Sequence, residues 1–214
     1  MHGGEIAMIR KSVFLFSVLV CAIGLCAASS VFAAHMSATD VVRDSIEKVR
    51  AIADTELSNE EKRKLLEGVV LEFFDVDAVA RSVMGRYWLT HKDQFPEFKN
   101  LFIELVRLSY LQKIRFWMIR EITVEYGRER IDGERASVPL TLRRPFLFRA
   151  VVIFHLYHAK DHWRAIDIEV EGVRFVANYR TQFVRLKTFD RVMEKLREKV
   201  LYLQTKHHNH DDAD

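Results

Sequence analysis

Residue types that could carry out chemistry are few in this sequence and are poorly grouped. Asp75 and Asp77 lie close together, but Asp is also favoured at the start of a helix, and we favour that interpretation. His155 and His158 fall on or beside an apolar strand, where their odd spacing puts them on opposite faces, a poor arrangement for one metal ion. No Ser-His-Asp pattern in a telling context and no Gly-rich phosphate loop are found. We therefore predict neither an enzyme nor a metal or cofactor site.

The C-terminal residues 207–214 are rich in His and Asp and could bind a transition metal weakly. Histidines in a terminal tail lack neighbouring groups that fix them as ligands, so a flexible polar tail explains the composition better.

The N-terminal residues have the pattern of an export signal. Arg10 and Lys11 precede an apolar run over 13–25, about a dozen residues and shorter than a membrane span needs. Small residues follow, which predicts a signal peptide over 1–33 with cleavage after Ala33. Cleavage after Ala27 and a start at Met8 are the alternatives. The expected location is the periplasm.

Composition limits what the exported chain does. Both cysteines, Cys21 and Cys26, lie in the signal, so no disulfide or thiolate site is expected. Removing residues 1–33 changes the formal net charge from +3 to +2, which does not call for a nucleic-acid partner. The remaining chain of about 180 residues shows no linker or repeat, so we predict one domain over 34–206.

The spacing of apolar residues before residue 120 predicts helices over about 37–119. Ser58 and Glu61 have the spacing of a capping box, and Gly85 ends a short helix. A long helix is expected from Thr90 to Met118, and Pro96 is tolerated only near its start.

The region over about 120–171 predicts about four sequential strands. Apolar and polar residues alternate, and Asp132-Gly133 marks a turn. Pro139 cannot donate a hydrogen bond, so we expect its strand to be an edge or to be bulged there. These patterns predict an α+β fold, with a curved antiparallel sheet packed against the helical half.

A sharp corner joins the last strand to C-terminal helices over about 173–204. Ile166, Ile168 and Val170 alternate with Ala165, Asp167 and Glu169 up to Gly172, so we expect the two sets on opposite faces. Asp167 is then expected to meet an Arg. After the glycine the apolar period becomes helical.

This corner also carries a family resemblance. Trp163-x-x-x-Asp167-x-x-Val170-Glu171-Gly172-Val173-x-x-Val176-x-Asn178-Tyr179-Arg180-x-Gln182-Phe183 resembles the signature of the MlaC, or toluene-tolerance, family. A second match upstream is Phe74-Asp75-x-x-x-x-Ala80-Arg81-x-Val83-x-Gly85-x-x-Trp88. The family consists of periplasmic phospholipid-binding proteins. The resemblance implies a sheet of the nuclear-transport-factor-2 or cystatin-like kind, with an apolar pocket between sheet and helices.

This resemblance implies a lipid carrier that catalyses no reaction of its own. It implies a monomer that takes phospholipid between an outer-membrane lipoprotein complex and an inner-membrane ABC transporter complex, and so maintains the lipid asymmetry of the outer membrane. A hopanoid is the alternative cargo. The implied pocket wall consists of Val83, Met84, Phe102, Leu105, Val138, Leu140, Val152, Phe154, Ile166, Ile168, Val173, Val176 and Tyr179.

Three alternatives stay open. Arg180 could contact an anionic head group, although a structural role at the Gly172 corner is favoured. A different class of function is an enzyme for a small apolar substrate, which would need a group such as His155 inside the pocket. A periplasmic adaptor with a filled core is the third. Dispersed basic residues such as Arg115, Arg143 and Arg144 fit solvated surface better than an anionic partner.

Overall fold

The computed structural model describes residues 36–146, 148–160 and 162–211. The predicted signal peptide and the last three residues lie outside the described residues. Among the described residues, no helix combines the length and apolar character needed to cross a lipid bilayer.

Seven α-helices are present in the described residues. They are α1 Ala38–Asp54, α2 Asn59–Phe73, α3 Val76–Met84, α4 Phe95–Ser109, α5 Phe116–Arg120, α6 Phe175–Arg185 and α7 Phe189–Asp211. The last helix therefore continues beyond residue 204, where we expected the helical part to end.

Polar side chains fix the starts of the first three helices. Ser37 and Ser58 each form a capping box, with Asp40 and Glu61 as the acidic partners. Asp75 Oδ1 accepts a hydrogen bond from the backbone N–H of Ala78 at 2.9 Å and caps α3. The predicted capping roles of Ser58 and Asp75 are confirmed.

The predicted long helix from Thr90 to Met118 is wrong. Short 3₁₀ turns at Lys92–Gln94 and Leu111–Lys113 separate α4 and α5 from their surroundings. Pro96 occupies the first turn of α4, where its missing N–H is tolerated, so the regular helix begins only there. The apolar periodicity continued through the second turn and concealed the break.

The sheet is antiparallel and has six strands, two of them very short. They are β1 Thr123–Tyr126, β2 Arg130–Asp132, β3 Arg135–Arg144, β4 Phe148–Ala159, β5 His162–Val170 and β6 Val173–Arg174. Their order is β1-β3-β4-β5-β6, and β2 pairs with β3 beside β1. The four longer strands match the predicted ones, and the α+β fold is confirmed.

Pro139 lies in an inner strand, so the expectation of an edge strand is wrong. β1 pairs with residues 140–143 of β3 and β2 with residues 135–137, and the proline falls in the gap between them. Its carbonyl accepts from the Gly127 N–H at 2.8 Å. On this side of β3 no neighbouring strand pairs with residue 139, so a proline, which has no N–H to donate, is tolerated there.

A β-bulge changes which side chains of β5 lie on the buried face of the sheet. The register shifts between His155 and Leu156, whose partners are Asp167 and Ala165, so Ile166 is the extra residue. Ala165 and Ile168 consequently both belong to the buried sheet cluster. The predicted simple alternation, with Ala165 on the opposite face from Ile168, is wrong for this reason.

Candidate functional site

Buried apolar side chains form one cluster on the inner face of the sheet. Alternate residues of β3 and β4 pack there against α1 and the end of α2. The buried members are Ala38, Val42, Phe73, Ala136, Val138, Leu140, Val152, Leu156 and Ala165. This sheet cluster covers one face of the strands with aliphatic side chains.

A second cluster lies among the helices α3, α4, α6 and α7. It is rich in aromatic rings: Phe98, Phe102 and Tyr179 are buried in it, and the Phe102 and Tyr179 rings meet edge to face with centroids 5.2 Å apart. We call it the helical cluster.

Phe74 joins the two clusters, since it is half-buried and packs against both. Its ring lies 5.1 Å from the Phe73 ring and 6.4 Å from the Phe154 ring. Its backbone also makes a parallel bridge with Ala165, and the backbone N–H of the next residue, Asp75, donates to the Ala165 carbonyl at 2.8 Å. The junction between sheet and helices is therefore a seam of aromatic side chains.

The predicted pocket wall is divided between these clusters. Six of its residues belong to the helical cluster: Val83, Met84, Phe102, Leu105, Val176 and Tyr179. Five belong to the sheet cluster or pack against it: Val138, Leu140, Val152, Phe154 and Ile168. Two belong to neither: Ile166 lies at the bulge, and Val173 is 60% exposed on the short strand after the turn. The predicted wall omitted Phe73, Phe74 and Leu156; Phe74 stands in the upstream family motif, and the β4 alternation could have indicated Leu156.

Asp167 holds the corner between β5 and α6. Its side chain is buried, accepts from Arg174 Nε at 2.9 Å and from the Val176 N–H at 3.0 Å, and so ties the first turn of α6 to the sheet. The prediction that Asp167 meets an arginine is confirmed. Glu171 and Gly172 supply the left-handed backbone of the turn, with φ of 49° and 79°.

Arg180 does not pair with Asp167 at this corner, because Arg174 takes that position. Its guanidinium instead lies against Gly85, where an added Cβ would be 3.0 Å from Arg180 Nε. Asn178 is exposed and accepts from Gln182 at 3.3 Å within α6. The Asn-Tyr-Arg segment thus places one tyrosine inside the helical cluster and one arginine over the end of α3.

Tyr179 brings a hydroxyl group into the helical cluster. Its hydroxyl oxygen lies 3.4 Å from that of Tyr110. Burial, and then the hydrogen bond with Tyr110, raise the pKa of Tyr179 above its usual range. The side chain is therefore neutral at physiological pH and does not present charge to an apolar ligand.

One chain of hydrogen bonds on the sheet resembles a catalytic arrangement. Ser137 Oγ lies 3.2 Å from His155 Nδ1, and His155 Nε2 lies 3.3 Å from Glu169 Oε2. Sequence reasoning missed it because the three residues meet only through the pairing of β3, β4 and β5. Since Ser137 alternates with Ala136 and Val138, these side chains are on the face opposite the sheet cluster. His155 is therefore not inside the predicted pocket.

The described residues also contain no group of three or more His, Cys, Asp or Glu side chains that could hold a metal ion. The predicted tail histidines are beyond the side chains that the structure describes.

A comparison with protein families matches the part of the chain that contains the corner between β5 and α6. The sequence pattern described as MlaC protein matches residues 39–198. The chain belongs to the MlaC family. The matched range begins in α1 and ends in α7, and it contains most of the buried members of the two clusters in this MlaC-family domain. None of the curated proteins matches the sequence.

A solved structure has a similar fold. It is the phospholipid-binding protein from Ralstonia solanacearum, determined in complex with a phospholipid. The sequences are 18% identical, the TM-score is 0.67, and the match covers 77% of this chain and 97% of that chain. This likeness shows that the MlaC-family chain shares the fold of that protein.

Proposed function

We propose that this protein binds the acyl chains of a phospholipid between the sheet cluster and the helical cluster. The observation that supports it most is the seam at Phe74, where two apolar layers from separate elements meet in a MlaC-family chain. The similar Ralstonia solanacearum structure contains a phospholipid, which supports the same class of ligand here.

The proposed affinity comes from burial of hydrocarbon. Each methylene removed from water contributes about 0.8 kcal/mol, so two acyl chains need no specific polar contacts for tight binding. The aromatic seam packs this space in the described structure, so Phe73, Phe74 and Phe154 must move apart to admit a chain. Release is then slow unless a partner opens the seam. The eleven predicted wall residues that belong to the clusters remain the proposed ligand contacts.

The proposed biological role is that of a carrier. We propose export to the periplasm by the predicted signal peptide, and transfer of phospholipid between an outer-membrane lipoprotein complex and an inner-membrane ABC transporter complex. Family membership supports this role. Transfer of a fluorescent phospholipid from donor to acceptor vesicles tests the carrier step; a rate no greater with the protein than without it would contradict that step.

The ligand itself is tested by native mass spectrometry of protein purified from cell extract without detergent, followed by organic extraction. We expect a stoichiometric phospholipid with two acyl chains. A bound hopanoid would keep the apolar site but change the cargo. A protein that is empty and also takes up no added lipid would contradict the proposal.

The position of the acyl chains is tested with single-tryptophan variants. Trp163 packs against the sheet cluster, whereas Trp117 is exposed on α5. A phospholipid with brominated acyl chains should quench the fluorescence of a protein that keeps only Trp163. A matched protein that keeps only Trp117 should show little quenching. Equal quenching of both would place the chains elsewhere.

A further inference from the structure

A cavity of about 220 Å³ lies at the other side of the helical half, between the start of α2 and α5. It is separate from the two clusters above, because its apolar floor belongs to a third cluster that contains Leu66 and Phe116. Its lining residues are Asn59, Lys62, Arg63, Ile114, Arg115, Phe116, Trp117 and Arg120.

Positive charge dominates this cavity. Four of the lining residues are Lys or Arg, and none is Asp or Glu. Arg120 Nε is paired with Asp54 at 3.2 Å. Within the described part of the chain, no ion pair joins Lys62, Arg63 or Arg115 to a carboxylate.

The nearby acidic residues on α2 are already engaged. Glu60 pairs with Lys64 at 2.9 Å, and Glu61 closes the capping box with Ser58. Neither carboxylate lines the cavity. The cations are therefore not neutralised by the first turn of the helix that carries two of them.

Lys62 and Arg63 are the decisive residues. Lys62 is only 7% exposed, and its Nζ donates to the Ala53 carbonyl at 3.2 Å, an acceptor that it shares with Arg120. Arg63 Nε is buried and has no hydrogen-bond partner. Burying a charged donor without a counter-charge is unfavourable, and an anion in the cavity would supply that charge together with an acceptor for Arg63.

The same wall has an apolar side. Phe116 is buried under Lys62, with Nζ 5.8 Å from the ring centroid. Trp117 is exposed, and the Arg144 guanidinium lies 5.0 Å from its ring centroid. Arg144 also pairs with Glu121, which anchors it to the end of α5. An anion with an attached carbon skeleton would contact both kinds of surface.

We propose that this cavity is a second binding site that takes a phosphate-type oxyanion, either as a phosphoryl head group of a lipid or as a free phosphate or small phosphoester. Arg63 and Arg115 supply the hydrogen bonds, since guanidinium groups match phosphate oxygens in geometry. Lys62 supplies charge from the floor. The site does not depend on the acyl-chain site, because the two are built from different clusters.

The test uses the fluorescence of Trp117 in the protein that keeps only this tryptophan, during titration with three probes: inorganic phosphate, glycerol 3-phosphate and monomeric dihexanoyl phosphatidic acid. Sodium chloride at equal ionic strength is the reference, because screening alone weakens the interactions between exposed charges and can alter the fluorescence. We expect a saturable response to at least one probe. The double variant Arg63→Gln/Arg115→Gln should bind that probe about tenfold or more weakly, as loss of charged hydrogen bonds does.

The control is Arg130→Gln, which removes one positive charge, as Arg115→Gln does, from an exposed position on β2 outside the lining residues. Its affinity should equal that of the unchanged protein. The single variant Arg115→Gln alters an exposed side chain only, and so keeps the test valid if the double variant is poorly folded.

The three probes separate the sources of the anion. Binding of inorganic phosphate and glycerol 3-phosphate would indicate a free anion as ligand. Binding of the lipid alone, weakened in the Arg115→Gln variant, would indicate a head-group site. The proposal is overturned if no probe gives a response beyond that of sodium chloride, or if Arg130→Gln weakens binding as much as Arg115→Gln.

Discussion

At the scale of single residues, Asp167 is the clearest example of a carboxylate that serves the fold. It is 4% exposed and accepts hydrogen bonds from Arg174, from the Val176 N–H and from its own neighbour Ile168. A buried carboxylate with three donors fixes the direction in which the chain leaves the sheet. Asp167 is therefore a structural link between β5 and α6.

We predict that Asp167→Asn lowers the free energy of unfolding by about 1.5–3 kcal/mol, the range for a hydrogen bond to a charged group. The amide keeps the size of the side chain but removes the charge that Arg174 contacts. Urea denaturation measures the change. Asp132→Asn, at the exposed end of β2 before Gly133, is the control and should be near neutral; an equal loss in both would exclude a special role for Asp167.

The raised pKa of Tyr179 predicts that the free energy of unfolding falls at alkaline pH. Its pKa is raised in the folded protein by burial and by the hydrogen bond with Tyr110, whereas an unfolded tyrosine titrates near pH 10, so the folded state holds the proton more tightly. The contribution is complete below about pH 10 and is lost as the pH rises above that value. Burial also raises the pKa of Tyr126, which acts in the same direction.

The measurement is the urea midpoint between about pH 8 and 11.5, over which the unfolded tyrosines ionise. In the Tyr179→Phe variant the decline with pH should be shallower than in the unchanged protein. Tyr202→Phe, at an exposed position on α7, should leave the decline as it was. Parallel curves for all three proteins would show that Tyr179 does not titrate differently in the folded state.

At the scale of elements, the end of α3 depends on a glycine that the sequence correctly indicated. Gly85 has φ of 60° and ψ of −126°, a conformation that residues with a Cβ rarely adopt, and an added Cβ would also meet Arg180 Nε at 3.0 Å. The same glycine therefore allows both the turn and the close approach of α6.

Two Gly→Ala substitutions should change stability in opposite directions. Gly85→Ala should lower the free energy of unfolding by about 1–3 kcal/mol through backbone strain. Gly68→Ala should raise it by about 0.5–1 kcal/mol, because a helix-interior alanine restricts the unfolded chain and favours the helix. Gly68 is within α2 with no atom within 4 Å of an added Cβ. Circular dichroism during urea titration checks both; a stabilising Gly85→Ala would contradict the account of this corner.

At the scale of the whole molecule, the two apolar layers link ligand binding to stability. A ligand that binds only the folded protein stabilises it by mass action, by about 2.7 kcal/mol at a free concentration one hundred times Kd. The protein stripped of lipid by organic extraction and refolded should therefore melt at a lower temperature than the protein as purified.

Calorimetry before and after delipidation measures this difference, and added phospholipid should restore the higher melting temperature. Octyl glucoside below its micelle concentration is the control for general detergent effects. If delipidated and reloaded proteins melt at the same temperature, the acyl chains do not bind between the two clusters in the folded state.

Local patterns in the sequence determined the parts of this fold that depend on neighbouring residues. The capping Ser58, the cap at Asp75, the stop at Gly85 and the turn at Gly172 each rely on side-chain or backbone requirements within a few positions. The α+β class followed from the change of apolar period near residue 120. These features are encoded at short range, so they can be read without the tertiary structure.

Only the tertiary structure decided which side chains meet. The bulge at Ile166 depends on the register with His155, and it moved Ala165 to the buried face against the simple alternation. The Ser137–His155–Glu169 chain needs three strands in register, and the cationic cavity needs α2 to meet α5. Apolar residues reveal only that they are buried. What they are buried against is determined by packing between elements distant in sequence, because hydrophobic burial has no direction of its own.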